Sequence, residues 1–144
     1  MYKKIAVVYN ESPAGERALA SAISLARILG SGLRVISVLE PPPAYTAYIA
    51  AVDFSAVRDL LCDLRVHREQ LLASARETGL RAGIDLSTNL LEGEEVSAIV
   101  RFLLEDKTEL LVVGLRRHEP QIARLWSRVY EMALSAPCTI LGVH

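Results

Sequence analysis

Five side chains that carry or can carry positive charge crowd one stretch of this chain: Arg116, Arg117, His118, Arg124 and Arg128, with Glu119 offsetting them nearby. Guanidinium forks bind phosphate and carboxylate in two-point fashion, so this cluster has the chemistry to capture an anion. The plainer alternative is a solvated helix face whose arginines pair with acids such as Glu131. Glu92, Glu94 and Glu95 are a second charged group. Carboxylates so close suit metal or acid–base work, but at a helix start they more simply complement the dipole. His67 and His144 are isolated, and no spacing suits a metal set. Ser12, a histidine and an aspartate invite comparison with a nucleophilic triad, yet no nucleophile-elbow sequence surrounds Ser12. Cys62 and Cys138 fit neither a CxxC nor a zinc pattern and are expected as reduced, buried or half-buried thiols. No catalytic set and no metal site is expected.

The elements that must position these residues alternate along the chain. Ile5–Tyr9 is a short β-prone run, as in a strand buried on both faces. Ser12 and Pro13 suit the cap and first position of a helix carrying Ala18, Ala22, Leu25 and Leu29, which Gly30 and Gly32 end. Leu33–Leu39 is a second strand. The prolines of Glu40–Tyr48 forbid helix and central strand, which predicts a loop or lid. Tyr45 and Tyr48 there suit either an aromatic cover over a ligand or packing beneath the loop or at an interface. A long helix follows over Phe54–Gly79, with Val57, Leu60, Leu61, Leu64, Leu71 and Leu72 on its inward side. Then come a strand over Ile84–Leu91, a helix over Gly93–Leu104, a strand over Leu110–Val113, a helix over Ile122–Ser135 and a strand over Cys138–Val143. Trp126, on the last helix, reads as core or dimer packing. This order predicts one α/β domain over residues 1–144 with a mainly parallel sheet and helices on both faces. Ligands of such sheets bind beyond the carboxyl ends of the strands, where strand order reverses. The loops that matter are therefore Asn10–Pro13, Glu40–Tyr48 and Gly114–Gln121.

Composition narrows the partners. The net charge is −1 and 51% of residues are hydrophobic, so nothing favours nucleic acid or an anionic membrane. No apolar run approaches the roughly 18 residues of a bilayer span, and the basic start lacks the core of a secretory signal. A soluble cytoplasmic protein is expected.

Several segments resemble the universal stress protein family. Ile5-Ala6-Val7-Val8-Tyr9-Asn10-Glu11-Ser12 with Glu16-Arg17-Ala18-Leu19 resembles its first strand, turn and helix, and Leu33–Pro41 its second strand. Gly93–Ile99 resembles the start of a later helix, Glu109–Gly114 the following strand, and Ala136–Val143 the closing strand. The resemblance spans nearly the whole chain. It implies a doubly wound, flavodoxin-like α/β sandwich with a five-stranded parallel sheet in the order 3-2-1-4-5. It also implies a homodimer paired through the last strand, Thr139–Val143, which would cover an exposed apolar edge.

Many family members bind ATP through G-x-x-G, nine residues, then G-[ST]. Here Gly114 holds the first position, Arg117 replaces the second glycine, and Trp126 or Ser127 stands at the third. The family's acidic residue near adenine is Asn10 here, and the next glycine is Glu11. Val38 matches the position whose backbone meets adenine. The candidate ligand residues are thus Tyr9, Asn10, Ser12, Val38, Gly114, Arg116, Arg117, Ser127 and Arg128. Two readings follow: a stress-response signalling dimer with weak or no ATP binding that acts through protein partners, or a regulator that binds ATP with Mg2+, AMP, cyclic AMP or another phosphorylated ligand through an arginine clamp. Slow nucleotide hydrolysis is a third and lacks an identifiable water-positioning residue.

Overall fold

The computed structural model describes residues 1–115 and 122–144, and describes no side chain of residues 122–127. Five strands, β1 (Lys4–Val8), β2 (Gly32–Leu39), β3 (Ser87–Glu92), β4 (Leu110–Gly114) and β5 (Thr139–Val143), form one sheet. Its order is β3-β2-β1-β4-β5, and every neighbouring pair is parallel. The helices are α1 (Pro13–Leu29), α2 (Thr46–Val52), α3 (Phe54–Arg81), α4 (Glu95–Asp106) and α5 (Ile122–Ser135).

Alternation along the central strands divides the core in two. Ile5 and Val7 of β1, Leu33 and Val35 of β2, and Leu110 and Val112 of β4 pack with α1 and with Leu72 and Ala75 of α3. Ala6, Ile36, Val38, Leu111 and Val113 face the other way, onto Val96, Ile99 and Leu103 of α4 and Met132 of α5. Strands buried on both faces read as continuous apolar runs, which is why Ile5–Val8 of β1 and Leu110–Val113 of β4 are uniformly aliphatic.

Local signals set the helix ends. Ser12 Oγ accepts from Gly15 N at 3.1 Å, and Gly30 closes α1 in the left-handed region at φ 64°. Glu94 caps α4, accepting from Val96 N and Ser97 N at 3.1 and 2.9 Å.

Four sequence expectations need correction. Residues 46–48, placed in a proline-dictated loop, begin helix α2. Proline disfavours helix at the residue before it and in a helix interior, and none lies between Pro43 and the end of α2 to stop this turn. The third strand starts at Ser87 rather than Ile84, because Ile84 N still closes the end of α3 on Gly79 O at 2.9 Å. The inward stripe of α3 is buried only in part: Leu60 is 55% and Leu64 45% exposed, whereas Leu72 is buried. With 28 residues, α3 is about 42 Å long, against about 26 Å for the 8 residues of β2. Its first half overhangs the carboxyl edge of the sheet. Cys62 lies on this overhang and is exposed, while Cys138 is half-buried and its thiol is pushed up by burial.

Candidate functional site

Strand order reverses between β1 and β4, and a crevice of about 330 Å³ opens there at the carboxyl edge. Val8, Tyr9 and Asn10 at the end of β1 form its floor with Ser37 and Val38 of β2 and Val113 and Gly114 of β4. Ser12, Ala14 and Gly15 bring in the start of α1. Glu40, Arg68, Glu95, Arg128, Val129 and Met132 complete the wall.

The first turn is built by Asn10. Its Oδ1 accepts from Ser12 N at 3.1 Å and from the Ser12 hydroxyl, an Asx turn that carries the chain from strand to helix. The same oxygen, and the Asn10 carbonyl at 2.5 Å, stand where a side chain at Gly15 would go. Asn10 Nδ2 donates no hydrogen bond among the described residues and remains a donor for a ligand. Gly114 has a packing reason of its own. A Cβ there would collide with the Ala14 carbonyl and lie 3.0 Å from Ala14 Cβ, so glycine lets the end of β4 tuck under the first turn of α1.

Tyr9 belongs mainly to the core. It is buried against α1, and its hydroxyl donates to Glu16 Oε1 at 2.6 Å. Burial first, then the Glu16 carboxylate, holds its pKa far above the ordinary tyrosine value, so the phenol stays protonated.

Among the described residues, the charges lining the crevice are balanced, two carboxylates against two guanidinium groups. Arg128 Nη1 stands 2.5 Å from Glu95 Oε2 and 3.5 Å from Glu40 Oε1, joining α5, α4 and the end of β2. Sequence reading had suggested Glu131 as the kind of acid that would pair there. Arg68, from the overhanging α3, reaches the buried Ser37 hydroxyl at 3.4 Å. The residues around it are anchored: Arg65 pairs with Glu92, and His67 Nε2 lies 2.6 Å from Glu11 Oε1. Glu11, the acid expected near a phosphate, is therefore turned to α3. Of the three clustered glutamates, Glu92 pairs, Glu94 caps, and Glu95 both starts α4 and holds Arg128. The main-chain contacts to Glu94 hold its carboxyl below the usual glutamate range. Among the described residues, no group of His, Cys, Asp and Glu is gathered to hold a metal ion, and no helix is long and apolar enough to cross a membrane.

The fold thus brings Tyr9, Asn10, Ser12, Val38, Gly114 and Arg128 to one crevice. Arg116, Arg117, His118, Arg124, Trp126 and Ser127 lie outside the described residues or have no described side chain. Sequence reasoning missed Ser37, Glu40, Glu95 and above all Arg68 as crevice residues. The one signal available was Ser37, a polar residue within the aliphatic run Val35–Leu39 of β2.

Comparison with known proteins agrees with this architecture. No curated protein matches the sequence. Among solved structures, universal stress protein UspA from Lactobacillus plantarum superposes with a TM-score of 0.78 at 17% identity, over 99% of this chain and 98% of that one. A universal stress protein in complex with cAMP gives 0.74 at 22% identity, over 99% and 97%. The universal stress protein from Archaeoglobus fulgidus in complex with dAMP gives 0.72 at 20% identity, over 99% and 98%. The model of the universal stress protein family matches residues 1–144, and the chain belongs to that family.

Proposed function

We propose that this chain is a non-catalytic stress-response binding protein of the cytoplasm that takes a small adenine ligand of low charge, a nucleoside or mononucleotide, in the crevice between β1 and β4. The observation that carries this reading is the charge balance of the wall. Among the described residues Glu40 and Glu95 oppose Arg68 and Arg128, and Arg128 already has both carboxylates as partners. A triphosphate would bring several negative charges against those two carboxylates, so ATP binds weakly. A volume of about 330 Å³ lies at the small end of ligand sites. Two structural relatives were solved with cAMP and dAMP, each carrying a single phosphate. Asn10 Nδ2 and the main chain at Val38 supply polar contacts for a base, and the flanking valines and Met132 supply its apolar faces.

The protein acts as a homodimer joined through β5. That strand is an edge, with β4 on one side only, and Leu141 is exposed on it. Output passes through a protein partner. The exposed Tyr48 and Ile49 of α2 and Leu60 and Leu64 of α3 favour that reading, because exposed apolar side chains suit a protein contact.

Calorimetric titration with adenosine, AMP, cyclic AMP and Mg–ATP, after removal of any co-purified nucleotide, tests the ligand. The expected result is mononucleotide binding near micromolar, about −8 kcal/mol, with ATP at least about tenfold weaker. Silence with every ligand overturns the reading. ATP as the tightest ligand overturns its low-charge element.

A further inference from the structure

Among the described residues two guanidinium groups line the crevice, and they differ in one respect. Arg128 is held by Glu95 and Glu40. Arg68 has no ion-pair partner among the described residues, and its one hydrogen bond, to Ser37 Oγ, is long at 3.4 Å. Its neighbours are committed elsewhere, Arg65 to Glu92 and His67 to Glu11, and these two contacts pin α3 above the carboxyl edge on both sides of Arg68. A guanidinium carries five N–H donors, so most of those of Arg68 are left for a group inside the crevice. The His67–Glu11 contact also sets this part of α3 beside the first turn of α1. The positive end of the α1 dipole therefore lies on the same side of the crevice as Arg68.

We propose that Arg68 recognises the anionic group of the ligand, so that the anion pole of this site lies between α3 and the start of α1 rather than at Arg128. This rests on the mononucleotide reading above and adds an orientation to it. The oxyanion meets a cation that has no carboxylate beside it, whereas a phosphate directed to Arg128 comes against the negative charges of Glu95 and Glu40. Arg68 thereby sets the preference for a phosphorylated ligand over its nucleoside, and Arg128 offsets only part of the negative charge of Glu40 and Glu95 on its own wall.

The test compares adenosine and AMP on the wild type, Arg68→Ala and Arg68→Lys, with circular dichroism to establish that each variant is folded. Loss of a charged hydrogen-bond donor should weaken AMP by about ten- to a hundredfold and leave adenosine within about twofold. Lysine should restore part of the AMP affinity. Equal losses for AMP and adenosine, or none for either, overturn the proposal while leaving the mononucleotide reading intact. If the wild type binds neither adenine ligand, that reading fails, and inorganic phosphate becomes the probe. A phosphate-dependent rise in the thermal midpoint of the wild type that is absent from Arg68→Ala then upholds the anion pole. Equal rises in both, or no rise in either, overturn it.

Discussion

Replacing Gly114 by alanine should destabilise the domain by about 2–3 kcal/mol, the upper part of the range for overpacking a close-packed interior. The added Cβ would collide with the carbonyl of Ala14 and lie 3.0 Å from its Cβ. A main-chain carbonyl cannot swing aside as a side chain can. Here it belongs to a helix start fixed by the Ser12 cap and the Asn10 turn. The backbone at Gly114 is not in the left-handed region, so no conformational strain adds to the steric cost. Two other glycines calibrate the effect. At Gly142 a Cβ would meet Leu115 Cδ1 at 2.7 Å, a side chain able to move, so alanine should cost about 1 kcal/mol or less. At Gly32 the nearest atom, Lys3 O, is 3.8 Å away, so alanine should change stability by less than about 0.5 kcal/mol. Urea unfolding followed by circular dichroism reads the difference. With a slope of about 2 kcal/mol/M, the Gly114→Ala midpoint should fall by about 1–1.5 M with the slope unchanged. A fall of less than about 0.3 M would refute the steric argument. Glycine at 114 would then have to be explained by something other than the seat of α1.

Three further outcomes are expected. Tyr9→Phe removes the donor to Glu16 and should lower stability by about 1–2 kcal/mol in urea unfolding at neutral pH. Because the folded pKa of Tyr9 is raised, its contribution is present below the unfolded value near 10 and is lost as pH rises beyond it. The wild type should therefore lose more stability than Tyr9→Phe between about pH 9 and 11. Glu94→Gln weakens the cap of α4. Since the folded pKa of Glu94 is lowered, its contribution is complete above about pH 5 and disappears as pH falls through the lowered value, so wild type and variant should converge in acid. On the proposed pairing through β5, the wild type should sediment as a dimer and Leu141→Lys, which places a charge on that edge, as a monomer with an unchanged circular dichroism spectrum. A variant that sediments like the wild type would exclude β5 as the interface.

Element types were readable because they rest on local signals. The aliphatic runs of β1 and β4, the Ser12–Pro13 start of α1 and the Gly30 stop each act within a few residues, and the structure keeps all of them. Errors arose where extent depends on something distant. The stripe of α3 is continuous in sequence from Val57 to Leu72, but burial requires a sheet beneath it, and the strands end before the helix does. Likewise the prolines correctly forbade structure at their own positions, yet that influence was extended too far, over residues that form α2.

The sequence by itself determined the alternation of strands and helices, the parallel sheet, the family, and the switch point at the carboxyl ends of β1 and β4. Topology pointed to the turns holding Asn10, Ser12 and Gly114, the family resemblance to Val38, and the basic cluster to Arg128. Only the tertiary structure decided what each charge does. Arg128 meets Glu95 across 33 positions of chain, Glu11 turns to His67, and Arg68 enters the crevice from a helix that sequence reading had treated as core. A cap or a turn is made by residues a few positions apart and is written in the local sequence. An ion pair between separate elements depends on where helices of particular length come to rest, and no local pattern records that.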